Sequence, residues 1–223
     1  MKQWIRLFSP FEIVWHWSQS LLIIGMLATG FELHGTYRVL GYADAATVHV
    51  ICALALMVVW VFAIFWHVAT GEWRQYVPTT DKLWAVLRFY AGGIFRGEPH
   101  PFRPSRRRKH NPLQLFAYLT FNAVISPAIW ITGLVYLTFN LFGDVLPVPL
   151  APVATVHIAT AYATLVFLIG HVYMITTGET VFQHLKAMIT GYEAVETEPA
   201  RGGGNQDCDT ESEPSDGRIP ARK

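Results

Sequence analysis

Charge is what this sequence has least of. Asp, Glu, Lys and Arg make up 15% of its 223 residues, where an average soluble domain has about a quarter. Cysteine is almost missing, with only Cys52 and Cys208. Two cysteines cannot build a disulfide-stapled secreted domain, and no paired-cysteine pattern suggests zinc or an iron–sulfur cluster. Neither CxxCH nor HExxH occurs. The first absence excludes covalent c-type haem attachment, and the second argues against a zinc hydrolase. A chain this poor in charge is also not an ordinary cytosolic enzyme, a nucleic-acid-binding module or a disordered protein.

What is present is apolar. Hydrophobic residues make up 52% of the chain, and the mean hydropathy is +0.30. The four charged residue types are absent from Ile13–Phe31, Ala45–Gly71, His110–Gly143 and Val145–Gly178. Together these windows are about half the chain, and each is long enough to cross a bilayer as a helix. No alternating dyad pattern indicates a barrel, so helices are expected. The expected fold is all-α: a four-helix transmembrane bundle with spans near 13–31, 46–68, 112–138 and 152–176. The expected transmembrane domain covers 1–196, and 197–223 reads as a disordered tail rich in Gly, Ser, Pro and mixed charge. The N-terminus has basic residues before its apolar run but no clear small-x-small cleavage site, so it is expected as a retained first span.

The remaining charges set the orientation. Nine of the 17 Lys and Arg lie in Glu72–Lys109, including the run Arg106, Arg107, Arg108 and Lys109. The N-terminal flank adds Lys2 and Arg6, whereas the other two connections contain only Arg38. The positive-inside rule then places both termini and the second connection in the bacterial cytoplasm, with the protein in the inner membrane. The basic run reads as a topology signal and a lipid contact. Two segments, Asp81–Gly97 and Glu179–Glu196, have apolar residues at helical spacing and are expected as amphipathic helices on the cytoplasmic surface. The apolar face is Leu83, Leu87, Tyr90 and Ile94 in the first. In the second it is Val181, Phe182, Leu185, Met188, Ile189 and Tyr192. Pro127 is expected to kink the third span. No internal repeat is evident.

Nine histidines carry the chemical content, and six lie in or at the ends of spans: His16, His34, His49, His67, His157 and His171. Ionisable residues at membrane depth are costly and mark function. His157 and His171 are 14 residues apart on one helix, nearly four turns and about 21 Å. They project from nearly one face, close to opposite membrane surfaces. Depth matches His49 with His157 and His16 with His171. Two pairs at two levels suit two low-spin haem b groups, each with an imidazole above and below its iron. All four cannot converge on one ion across about 21 Å. His67 lies about 6 Å beyond the level of His171. It is read as touching a haem propionate or a quinone headgroup, or as interfacial, and His34 as interfacial or propionate-contacting. Gly25, Gly30 and Gly170 offer either close approach of a porphyrin edge or ordinary small-residue packing.

Trp15-His16-Trp17 on the first span, His49 on the second and His157-x13-His171 on the fourth resemble the di-haem cytochrome b subunits of bacterial respiratory enzymes. These include the b-type cytochrome subunit of nickel–iron hydrogenases, the gamma subunit of formate dehydrogenase and the cytochrome b subunit of thiosulfate reductase. Cytochrome b561-like bacterial proteins share the same core. The resemblance covers residues 5–195. It implies an anchor passing electrons between a partner's catalytic or multihaem subunit and the quinone pool, menaquinone or ubiquinone. It implies His16 and His171 as ligands of a cytoplasmic-side haem, and His49 and His157 as ligands of a periplasmic-side haem. His110-Asn111-Pro112-Leu113-Gln114 matches the position of a quinone-binding Asn in the formate dehydrogenase subunit. Asn111 and His171, with Gln114 and His67, are therefore quinone-site candidates, although Asn111 before Pro112 also reads as a helix N-cap.

Two other readings stand beside this one. A free-standing cytochrome b, exchanging electrons with superoxide or cytochrome c, lacks a catalytic partner. A non-redox transporter with proton-relay histidines binds no haem. A metal-dependent intramembrane enzyme ranks last.

Overall fold

The computed structural model describes residues 2–77, 80, 82–98, 101, 111–142, 149–176 and 180–196. Cys208, His100, His110, the basic run Arg103–Lys109 and the tail from Thr197 lie outside these residues, as does most of the connection between the last two spans.

The elements are β1 (Lys2–Arg6), α1 (Pro10–Leu33), α2 (Tyr42–Thr70), α3 (Leu83–Arg88), α4 (Pro112–Thr120), α5 (Ser126–Phe142), α6 (Leu150–Ile175), α7 (Gln183–Thr190) and β2 (Tyr192–Glu196). Four helices are long and apolar enough to cross a membrane: α1, α2, the α4–α5 rod over Pro112–Phe139, and α6. They run up and down, so α1 and α4 begin at the end of the bundle where β1 and β2 lie, here the ribbon end. α2 and α6 begin at the far end.

The bundle is apolar outside and lightly packed inside. Phe62, Phe65, Val61 and Val166 stand out from it, as lipid-facing residues do. The buried hydrophobic residues on the spans are few and include the small Ala45 and Ala63. Packing between membrane helices relies on such close approach, because lipid supplies no hydrophobic drive between them.

Local chemistry sets the helix ends. Ser9 caps α1, accepting the Glu12 N–H at 3.2 Å, while Glu12 Oε2 accepts the Ser9 N–H at 2.7 Å. Pro10 follows in the first helical position, where its missing N–H costs nothing. Asn111, Gln114 and Pro112 repeat the device on α4. At the far end, Glu32 Oε1 accepts the backbone N–H groups of Val39, Leu40 and Gly41 at 2.7–2.8 Å. One carboxylate thereby ties down the connection between α1 and α2.

The third span is not one regular helix. A widened turn over Phe121–Ile125 separates α4 from α5, immediately ahead of Pro127. Pro127 has no N–H for the Ala123 carbonyl, and its ring crowds that carbonyl. Opening one turn to five-residue spacing relieves both.

The two surface segments hold short helices. α3 is short and runs into a widened turn at Phe89–Gly93. Its inward face is Val86 and Phe89, while Leu87 and Trp84 are exposed. Leu87, on the expected apolar stripe, thus stays clear of the protein, as the lipid-facing side of a surface helix does. In the second segment only Gln183–Thr190 is helical, and Val181, Phe182 and Ile189 are exposed. Gly191 ends α7 in the left-handed region at φ 82°. The chain then extends into β2, which pairs antiparallel with β1 from Lys2 opposite Glu196 to Arg6 opposite Tyr192. This ribbon is the only strand pairing among the described residues and was not anticipated.

Gly191 is the hinge of that closure. Its carbonyl accepts the N–H groups of Leu7 and Phe8 at 2.9 and 3.2 Å. A Cβ at position 191 lies 2.8 Å from the Phe8 carbonyl oxygen, whereas one at Gly71, φ 75°, meets nothing within 4 Å. Both Gly191→Ala and Gly71→Ala incur the left-handed cost of about 1–2 kcal/mol, but only the first must also move backbone. Thermal unfolding in detergent is expected to show the larger loss for Gly191→Ala. Faster proteolysis near the ribbon should accompany it, and equal losses would refute this account.

Candidate functional site

The expected histidines meet in pairs across the bundle. His16 on α1 faces His171 on α6, with ring centroids 6.1 Å apart and planes 43° from parallel. His49 on α2 faces His157 on α6, at 6.4 Å and 65°. The first pair lies toward the ribbon end and the second toward the far end. Metal–imidazole bonds are about 2 Å long, so one iron between two imidazoles holds the ring centroids about 6 Å apart. Both separations fit a bis-imidazole iron. Among the described residues no group of three or more His, Cys, Asp or Glu side chains comes together to hold a metal ion.

Hydrogen bonding decides which nitrogen each far-end ring presents. Thr29 Oγ1 lies 3.0 Å from His49 Nδ1 and gives its own proton to the Gly25 carbonyl at 2.8 Å. Thr132 Oγ1 lies 2.9 Å from His157 Nδ1 and gives its proton to the Ala128 carbonyl at 2.7 Å. Each hydroxyl oxygen has only lone pairs left, so the ring must donate through Nδ1–H. Both imidazoles are then held with Nε2 bare, the form that ligates iron.

Glycines seat these rings. A Cβ at Gly30 lies 3.3 Å from His49 Cε1, and one at Gly133 lies 3.4 Å from His157 Cε1. Gly30 was among the glycines singled out in the sequence. Gly25 instead accommodates Cys52 Sγ at 3.3 Å, and Gly170 has nothing within 4 Å, so Gly170 makes no close approach. Thr29, Thr132 and Gly133 were missed. The available signal was the Thr-Gly dipeptide, present on the helix ahead of each of these histidines.

The ribbon-end pair is set differently. His16 Nδ1 is buried with no hydrogen-bond partner. His171 stacks on Phe167, at 6.0 Å and 12°, and lies 6.2 Å from the Tyr118 ring. Below them, between α4 and α6, an apolar recess of about 490 Å³ is lined by Leu113, Phe116, Thr120, Val166 and Phe167 among others.

The quinone-site candidates fall into two clusters. Asn111 is buried and acts as an N-cap: Asn111 Oδ1 accepts the Gln114 N–H at 2.8 Å, and Gln114 Oε1 accepts the Asn111 N–H at 2.9 Å. Both oxygens are thus committed, and Asn111 Nδ2 reaches the Tyr90 hydroxyl at 3.4 Å. His67 lies apart from this cap, against Trp15, Trp66 and Tyr76, with centroids 5.0–5.4 Å away. It is 9% exposed. Its Nδ1 bonds the Ala63 carbonyl at 2.7 Å, so Nδ1 carries the proton, and Nε2 is a buried acceptor with no partner. Burial, with the Glu12 charge added, pushes the Tyr76 phenol well above its ordinary pKa, so it stays a proton donor. His34 is an exposed cap of α1.

Comparison with known proteins fits this arrangement. A family model described as prokaryotic cytochrome b561 matches residues 7–191. A protein of Escherichia coli (strain K12) named "Putative cytochrome YdhU" is 33% identical over 196 residues, covering 84% of this chain and 74% of that one. No solved structure matches the chain. The match runs from the residue after β1 through all four spans to the glycine that ends α7. The chain belongs to the prokaryotic cytochrome b561 family, membrane cytochromes that bind haem b and transfer electrons.

Proposed function

We propose that this bacterial inner-membrane cytochrome holds two haem b groups and links a respiratory oxidoreductase partner to the quinone pool. The observation that carries this reading is the pair of facing imidazoles at each end of the bundle, 6.1 and 6.4 Å apart between centroids. His16 and His171 would hold one haem iron, and His49 and His157 the other. When bound, the haems supply one-electron carriage across the apolar layer. The chain supplies ligands, spacing, dryness and access for protons.

The quinone belongs at the ribbon end. Its reduction takes up two electrons and two protons, so it needs donors and a route to water. With both oxygens spent on the cap, Asn111 and Gln114 present only amide donors, and Asn111 Nδ2 has one N–H beyond its bond to Tyr90. Phe167, stacked on His171, lines the apolar recess, which suits an isoprenoid tail. His67 offers an acceptor nitrogen and serves the proton side of the reaction. Charge distribution supports placing this end, with both termini, in the cytoplasm. The far end would then meet the partner in the periplasm.

Two measurements test the reading. A reduced-minus-oxidised spectrum with pyridine haemochrome quantitation is expected to give two haem b per chain. His49→Ala or His157→Ala should remove one, and His16→Ala or His171→Ala the other. A chain with no haem, or with one haem lost alike in all four variants, would overturn it. For the quinone, Asn111→Ser keeps a capping oxygen and the reciprocal bond with Gln114 but removes the amide donor. Haem content should be unchanged, while haem reduction by quinol slows about tenfold, the scale of one lost hydrogen bond. An unaltered rate would remove Asn111 from the quinone site.

A further inference from the structure

We propose that Thr29 and Thr132 set the reduction potential of the haem between His49 and His157, holding it lower than two unsupported imidazoles would. The proposal rests on the ligand assignment made above. Both threonines are buried, 5% and 8% exposed, and each receives an imidazole Nδ1–H at about 3 Å from a neighbouring helix. Neither oxygen is a passive neighbour. Each hydroxyl proton is drawn toward a carbonyl one turn back, and aligned bonds of this kind polarise one another in an apolar setting. An imidazole that donates through Nδ1 becomes a stronger electron donor through Nε2. Stronger donation favours ferric over ferrous iron and lowers the potential.

The two ends of the bundle differ in this respect. His16 Nδ1 is buried and meets no acceptor, so the ribbon-end pair lacks this support on at least one side. The threonines would therefore separate two otherwise similar bis-histidine sites. They are positioning residues, acting through the rings and not on the iron.

The test is a potentiometric titration of the full-length protein in detergent, following the reduced haem band. Thr29→Val and Thr132→Val keep shape and remove the hydroxyl acceptor, leaving each ring only the Met26 or Ile129 carbonyl that also faces it. Each is expected to retain two haems and to raise the potential of one, the haem that His49→Ala eliminates. The reduction equilibrium should shift about threefold to tenfold per hydroxyl, a tenfold change being 59 mV for one electron. The double variant should shift further, and the other haem should stay put. Thr29→Ser and Thr132→Ser, which keep the hydroxyl, should restore the original value. Should a valine variant fail to load haem, Thr→Cys at the same position reads the same quantity, because sulfur is a weaker acceptor; a smaller upward shift is then expected. Unchanged potentials with both haems retained would overturn the proposal. So would an equal shift from Thr164→Val, since the Thr164 hydroxyl bonds the Thr160 carbonyl and touches neither ring. If even the parent protein holds no haem, the ligand assignment has failed.

Discussion

Within the apolar layer every polar atom must find its partner inside the protein, because lipid offers none. The spans of this chain meet that demand almost entirely within single helices. Thr47, Thr70, Thr138, Thr155, Thr160 and Thr164 each return a hydroxyl proton to a carbonyl one turn back. Thr29 and Thr132 do the same and still have an oxygen lone pair to spare. Imidazole cannot close its account so locally. It carries two nitrogens on opposite edges, and one bond within the protein leaves the other nitrogen facing inward. In a medium where that atom would otherwise be a defect, the proposed bis-imidazole iron would make it an asset. The same logic isolates His67, whose Nδ1 is satisfied within its own helix and whose Nε2 is not.

Much of this was legible before any coordinates. Charge-free runs marked the spans because crossing helices must exclude charge, and their length left little freedom. The 14-residue interval from His157 to His171 placed two rings on one face at two depths, since helical rise and pitch are nearly invariant. Opposite chain directions then matched His49 and His16 to those levels. The capping role of Asn111 was also readable, because Asn-Pro-x-Gln is a local signature. What escaped was whatever depends on how helices are rotated against each other. Thr132 and Gly133 look like any small residues on an apolar span, and only the placement of α5 against α6 turns them toward His157.

The far-end site also shows a symmetry invisible at the level of sequence. On α1, Thr29-Gly30 lies behind His49 of the next helix. On α5, Thr132-Gly133 lies behind His157 of the next helix. Each half contributes one ring, one proton acceptor and one missing Cβ. Three shared residues in otherwise unrelated hairpins are too few to register as a repeat. They suffice to give the space between the two rings like-built walls. The ribbon-end pair draws its rings from α1 and α6 and lacks this duplication, so one bundle builds its two histidine pairs by different means.

The β-ribbon bears on how the protein is made. β1 is made before the four spans, yet its partner β2 follows all of them. Neither strand can satisfy its backbone until translation has passed residue 196. Both histidine pairs likewise join the first hairpin to α6. A nascent chain halted after α2 would display His16, His49 and His67 with no facing rings. Closure of the ribbon, and the meeting of both histidine pairs, thus wait until all four spans have been made.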